Sequence, residues 1–320
     1  MRRTASIAAL LLSALALAAP AFAVPNGIAP VNPESPNAEA INTAYWIVLA
    51  VTGAIFVLVE VALIVFVIRY RRGNRPRDQE APQIHGHGRL ELIWTVIPVL
   101  ILAGIASFVF WKLPAIQDVP SASAAPNRLE VHVIGHQFYW EFRYPNGEVT
   151  YDELIVPVDR IVHLTVDAPD VDVIHSWWIP SLGGKIDAIP GKTNFTWFQA
   201  KREGTFRGQC AEYCGLQHAS MLASVRAVSE SAWMSELGAA QEALGQSAFT
   251  SVCGKCHNLE GPQLVGPNLK GNSLLADRAG LKQIVEHGRL TMPAVGAGWT
   301  DEQFDALFEY TSKEIAPSGG

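Results

Sequence analysis

Apolar residues gather in three nearly unbroken runs over the first third of the chain. Beyond them they alternate with polar residues in short stretches, and near the end they recur at helical spacing. The first run, 7–19, lies behind Met1-Arg2-Arg3 and ahead of Ala21-Phe22-Ala23. A charged start, an apolar middle and a small-x-small ending predict a secretory signal over 1–23, cleaved after Ala23, with an uncleaved anchor as the alternative. The second run, 44–68, would rise about 37 Å as a helix, enough to span a bilayer with some tilt. The third is 90–111. Arg69, Arg71, Arg72, Arg75 and Arg77 lie between the last two, and clustered arginines in a short loop mark the cytoplasmic side. These features predict a transmembrane helical hairpin over 44–112, with 24–43 extracytoplasmic. Glu60 falls inside the second run; it either faces another subunit or snorkels toward the cytoplasmic end.

Residues 113–127 are rich in Pro, Ser and Ala and read as a linker. Over 128–228, alternating stretches such as Leu129-Glu130-Val131-His132-Val133 are broken at Pro145-Asn146-Gly147, Asp167-Ala168-Pro169-Asp170 and Ile189-Pro190-Gly191, which predicts an antiparallel Greek-key sandwich or barrel. The Ala- and Glu-rich tract 229–245 reads as a helical connector. Over 246–316 the pattern is helical, with helices around 279–287 and 301–310, the latter behind Thr300 as N-cap. About 70 residues is thin for an independent core, so a bound prosthetic group is expected to supply an apolar centre.

Composition agrees with the membrane spans: 49% of residues are hydrophobic and mean hydropathy is +0.17, high for a purely soluble protein. The net charge of −6 and the position of the basic cluster between two spans argue against nucleic-acid binding.

All four cysteines fall in two clusters. In Cys210-Ala-Glu-Tyr-Cys214-Gly-Leu-Gln-His218-Ala-Ser-Met221, two thiols, an imidazole and a thioether lie within one loop. A mononuclear blue-copper centre needs only one thiolate, two imidazoles and a weak axial thioether. The additional thiolate lets both sulfurs bridge two copper ions. His175 would be the distant imidazole and the Glu212 backbone carbonyl a further ligand. A Cys210–Cys214 disulfide and a zinc site are the alternatives; zinc has no need of a thioether. Cys253-Gly-Lys-Cys256-His257 is the signature of covalent haem c attachment, with His257 on the iron. Met292 is the expected sixth ligand and His287 its competitor; a thioredoxin-like dithiol would need a βαβ setting that the pattern lacks. His85, His87, His132, His136 and His163 are not needed as ligands.

These residues resemble subunit II of haem-copper cytochrome c oxidases. The resemblance runs through Glu91-Leu-Ile-Trp-Thr-Val-Ile-Pro98, Gly135-His-Gln-Phe-Tyr-Trp140, 172–177, Pro180-Ser-Leu-Gly183, 185–191 and 208–221, and the tail from Gln246 looks like a fused cytochrome c. It implies a multi-domain chain: a two-helix transmembrane hairpin, a cupredoxin-like antiparallel β-sandwich and a small all-α cytochrome c domain. It also implies a dinuclear copper centre held by His175, Cys210, Glu212, Cys214, His218 and Met221, with the Glu212 side chain near a magnesium ion at the interface with subunit I. No residue of the oxygen-reducing site is on this chain. Glu91 matches the acidic residue near a proton-pathway entrance. The implied partners are subunit I, subunit III and an electron donor, either a cytochrome c or a quinol-oxidising complex. The implied location is a bacterial inner membrane with both redox domains on the periplasmic side. The expected function is electron delivery to an oxygen-reducing, proton-pumping partner. Alternatives are the input subunit of a copper-containing nitric oxide reductase and a copper carrier or assembly protein. Family members served by a soluble cytochrome c usually carry Trp where this chain has Phe138, so the tethered donor is expected to reach copper by a surface that does not depend on an indole there.

Overall fold

The computed structural model describes residues 30–71, 83, 85–121, 123 and 125–315. The expected signal segment and the arginine loop beyond Arg71 lie outside the described residues. The chain divides into two units, one over residues 40–116 and one combining 1–39 with 117–320.

The smaller unit is built from two helices, α1 (Pro36–Tyr70) and α2 (Gly88–Gln117), both long and apolar enough to cross a membrane. Each overruns its hydropathy-based limits. α1 starts at Pro36, a residue suited to the first helical position because it has no N–H to satisfy there, so the extracytoplasmic segment expected over 24–43 is partly helix. α2 continues through Pro114 to Gln117, so the linker expected from 113 starts later. Hydropathy locates the stretch that suits hydrocarbon, whereas helices extend past it into the polar zone.

The larger unit contains a sandwich of two five-stranded sheets. One is ordered β3 (Val149–Tyr151), β2 (Tyr139–Arg143), β1 (Leu129–His136), β5 (Val162–Asp167), β8 (Asn194–Phe198). The other is ordered β4 (Glu153–Pro157), β10 (Leu222–Val228), β9 (Gly204–Cys210), β6 (His175–Trp178), β7 (Ile186–Ala188). Most neighbours are antiparallel, as the alternation predicts. The β1/β5 and β4/β10 pairs are parallel, because the chain crosses between sheets before returning to them. Val133, Trp140, Phe142, Leu154, Leu164 and Val225 are fully buried between the layers. Each such side chain contributes about 1.5–3 kcal/mol. Ser35 and Asn37, which belong to this larger unit, are held by the sandwich: Asn37 donates to the Trp197 carbonyl at 2.6 Å, and the Gln199 N–H donates to Ser35 Oγ at 3.1 Å.

After β10 come α3 (Glu230–Glu242), α4 (Leu244–Ser251), α5 (Arg278–His287) and α6 (Asp301–Glu314). Thr300 caps α6 with a full capping box closed by Gln303. α4 and α6 cross in near backbone contact, since a Cβ on Gly245 would lie 2.1 Å from the Ala306 carbonyl oxygen. This helical region does not close its core alone. Tyr139, Val149 and Tyr151 of the sandwich share one buried cluster with Leu244, Phe249, Val252, Leu281, Val285, Phe304 and Leu307. The apolar centre expected from a prosthetic group is therefore supplied in part by the neighbouring sheet.

Candidate metal centres

The first cluster forms where β9 ends and β10 begins. The backbone N–H of Cys210 donates to the Met221 carbonyl at 2.9 Å, which closes the loop at its base and brings residues eleven apart in sequence side by side. Within the loop His218 opens a short 3-10 turn (His218–Ser220), which turns its ring back toward Cys214. From the adjacent β6, His175 joins them, since Trp177 of that strand is in register with Cys210. Gly135 on β1 makes room: a Cβ there would sit 3.1 Å from the His175 ring.

The result is one buried group of soft donors. His175, Cys210 and Cys214 each offer a ligand atom, all within 4.8 Å of one another. Cys210 Sγ and Cys214 Sγ are 3.9 Å apart, and both cysteines are free thiols, so the pair is not a disulfide. His218 Nδ1 is 3.5 Å and Met221 Sδ 3.8 Å from Cys214 Sγ, and the Glu212 carbonyl oxygen is 3.2 Å from Cys210 Sγ. All of the copper-cluster residues read from the sequence therefore meet, including the Glu212 carbonyl. The Glu212 carboxylate points elsewhere, half-exposed and 3.7 Å from Lys185.

Two observations fit this donor set to a metal. His175 Nδ1 is buried without a hydrogen-bond partner among the described residues, which is costly unless something binds it, while its Nε2 lies 3.2 Å from Asp172 Oδ1. The hydrogen bond with Cys214 holds the Cys210 thiol far below its ordinary value, and that bond together with burial pushes Cys214 up. The pair thus yields its first thiolate readily, the form that binds metal.

The second cluster has the opposite character. Burial pushes the Cys253 thiol up to about 12, and burial also raises Cys256. Both cysteines are half-buried free thiols, so their sulfurs are available to bond a prosthetic group. His257 Nδ1 lies 2.7 Å from the Pro267 carbonyl, which can only accept, so this nitrogen is the donor and Nε2 keeps its lone pair, free to bind a metal. Gly266 sits against that ring, where a Cβ would fall 2.2 Å from His257 Cε1. Gly266→Ala is accordingly expected to displace His257, giving a chain that attaches haem poorly or holds it with an altered axial-ligand spectrum; a normal haem spectrum in that variant would contradict this packing. Met292 lies half-buried in the turn between α5 and α6, backbone-paired with Arg289. His287 ends α5, its Nδ1 3.2 Å from the Gln283 carbonyl. Glu91 is exposed in the first turn of α2, where its Oε1 accepts from the His87 N–H at 3.0 Å.

Several functional neighbours were not legible from motif spacing. Gln137 donates through Nε2 to the Cys214 carbonyl at 2.7 Å, and its N–H donates to Asp172 Oδ2 at 3.0 Å. Asp172 thus orients both His175 and the β1–β2 turn. Its place three residues before His175 is the one available signal. The strand histidines also have partners that sequence spacing does not reveal: His132 pairs with Asp167, His136 with Glu141 and His163 with Glu130.

Three family models match: the cytochrome c oxidase subunit II transmembrane domain over 24–111, the subunit II periplasmic domain over 148–228, and cytochrome c oxidase, cbb3-type, subunit III over 240–310. Cytochrome c oxidase subunit 2 of Cereibacter sphaeroides is 30% identical over 248 residues, covering 65% of this chain and 78% of that protein. The chain belongs to the cytochrome c oxidase subunit II family. The same subunit of Alkalihalophilus pseudofirmus is 38% identical over 208 residues, 61% of this chain, and the match spans 56% of that relative. The crystal structure of the periplasmic domain of subunit II of cytochrome oxidase from Bradyrhizobium japonicum is 34% identical and covers 39% of this chain and 97% of that one, with a TM-score of 0.35. This subunit II is an electron-transfer component of a terminal oxidase, membrane-anchored, with a periplasmic-type domain and a C-terminal cytochrome domain, and it works with other oxidase subunits.

Proposed function

We propose that this subunit accepts electrons from an external donor at its C-terminal domain and hands them from the sandwich to an oxygen-reducing haem-copper subunit I, in a proton-translocating complex of a bacterial inner membrane. His175, Cys210, Cys214, His218, Met221 and the Glu212 carbonyl would hold two copper ions. Cys253 and Cys256 would bond haem c covalently, with His257 and Met292 as axial ligands. When bound, each group supplies reversible one-electron chemistry. The Glu212 carboxylate would approach magnesium at the subunit I interface, Glu91 would stand at a proton entrance, and a subunit III would complete the assembly.

The observation that carries the reading is the convergence of two unbonded thiols, an imidazole and a thioether of the 210–221 loop with the buried His175 of β6. The chain's own part is structural: it holds soft ligands rigid and excludes water, so that little rearranges when charge arrives. The intact complex is expected to reduce oxygen and to show haem covalently bound to this chain on a denaturing gel. Its copper resonance should show the hyperfine pattern of one electron shared over two equivalent nuclei. Turnover of nitric oxide in place of oxygen would favour the reductase alternative, and a single-nucleus copper pattern would overturn the dinuclear assignment.

A further inference from the structure

Lys255 stands between the two cysteines of the Cys253-Gly-Lys-Cys256-His257 loop, yet its side chain leaves that domain. It is largely buried; its Nζ lies 2.5 Å from Asp152 Oδ2 and donates to the Phe138 carbonyl at 2.8 Å. Asp152 is itself fixed, with a left-handed backbone (φ 58°) between β3 and β4 and its Oδ1 accepting from the Trp140 N–H at 3.0 Å. Phe138 adjoins Gln137, whose side chain donates to the carbonyl of Cys214 and whose N–H is held by Asp172, the partner of His175. The Phe138 ring also packs on Gly215, where an added Cβ would lie 3.0 Å from the ring. One side chain therefore ties the loop of Cys253 and Cys256 to the turn that orients two members of the other cluster. Only two hydrogen bonds, Lys255 to Phe138 and Gln137 to Cys214, separate the loops along this path.

A purely stabilising role accounts poorly for this choice. Burying an ion pair removes both charges from water, and an apolar contact of similar volume generally stabilises as well or better.

We propose that Lys255 is a positioning residue for electron passage within this subunit: it seats the haem-attachment loop on the β1–β2 turn, and the bridge from Lys255 through Phe138 and Gln137 to Cys214 couples the two redox sites. The inference rests on the proposed copper and haem assignments. In the step it serves, one electron leaves the iron, which is oxidised, and enters the copper site, which is reduced; no bond or proton changes place.

The test uses the intact oxidase complex carrying Lys255→Met, with Lys255→Arg as the conservative rescue. Expected for Lys255→Met are unchanged haem attachment and copper absorption, faster hydrogen exchange at the amides of 137–139, and light-triggered haem-to-copper transfer slowed about tenfold or more. Lys255→Arg is expected to recover most of both losses. If exchange rises while the transfer rate holds, Lys255 only stabilises the interface and the proposal is overturned; unchanged exchange and rate overturn it equally. Should Lys255→Met fail to mature, Asp152→Ala removes the same anchor from the sandwich side and is read by the same criteria. Absence of the copper or haem signals from the unmodified complex would instead refute the cofactor assignments.

Discussion

Cys210→Ser is expected to empty the sandwich site while leaving the C-terminal domain intact. Serine keeps the shape, but its hydroxyl does not ionise at neutral pH, so the site loses the thiolate that Cys214 and its surroundings make easy to form at Cys210. Cys210 also touches the Glu212 carbonyl and sits next to His175, so three approaches to the metal fail together. Removing an outer partner of a ligand already weakens metal binding about 10–100-fold, and loss of a proposed ligand should exceed that. Metal analysis and near-infrared absorption of the purified complex would record the loss, with the haem spectrum as internal control. Retention of both coppers in Cys210→Ser would show that this thiol is not a ligand.

Glu141→Ala is expected to loosen the C-terminal domain from the sandwich. Glu141 is completely buried. Its carboxylate lies 2.5 Å from Arg143 Nε and 3.1 Å from His136 Nε2, and it accepts from Gln303 Nε2 of α6 at 3.1 Å. Gln303 also donates to the Tyr151 hydroxyl at 2.8 Å. Beside this network the Tyr139 hydroxyl donates to the Val295 carbonyl at 2.5 Å and accepts from Trp299 Nε1 at 2.9 Å. Truncating the carboxylate leaves the buried His136 Nε2 without its partner, removes one of the two bonds of the Gln303 amide and releases the partly exposed Arg143, a loss of about 3 kcal/mol. The expected result is earlier proteolytic release of the C-terminal domain in Glu141→Ala than in the parent.

The same residue predicts an acid response. Burial alone would raise the Glu141 pKa, but the His136 and Arg143 contacts outweigh it and hold the value below its ordinary 4.5. A carboxylate with a depressed folded pKa contributes its full stability above the unfolded value and loses it as pH falls through the folded one. Docking should therefore hold above the ordinary carboxylate value and weaken only in stronger acid, as the pH falls through the lower folded value. Glu141→Gln cannot titrate, so its release profile should lack this step. An identical acid profile in Glu141→Gln would assign the transition to another group.

Much of this was legible because the relevant signals are local. Membrane helices announce themselves by continuous apolarity, and Thr300 as N-cap marks the start of α6 before any packing is known. The ligand loop 210–221 is equally local, since one hairpin holds all but one of its donors. What was not legible involves partners far apart in the chain. Glu141 and Gln303 are 162 residues apart, Lys255 and Phe138 are 117 apart, and Gln137 and Cys214 are 77 apart. No periodicity reports such a pair. The helix ends were missed for a different reason: hydropathy senses the apolar stretch but not the polar turns that prolong it.

The sequence by itself determined which chemistry this protein carries, because thiol, imidazole and thioether identities and their spacing within two short loops are covalent facts that folding cannot change. It also determined that part of the chain suits a membrane, since that property follows from composition over a single helix. Only the tertiary structure decided how the two clusters are joined. The turn at Gln137 and Phe138 meets both loops because β1 and β2 pair beside β6 and the helical region packs on the outer face of β2 and β3. Such encounters arise from buried apolar area and long-range hydrogen bonds, which depend on the whole fold rather than on any local run of residues.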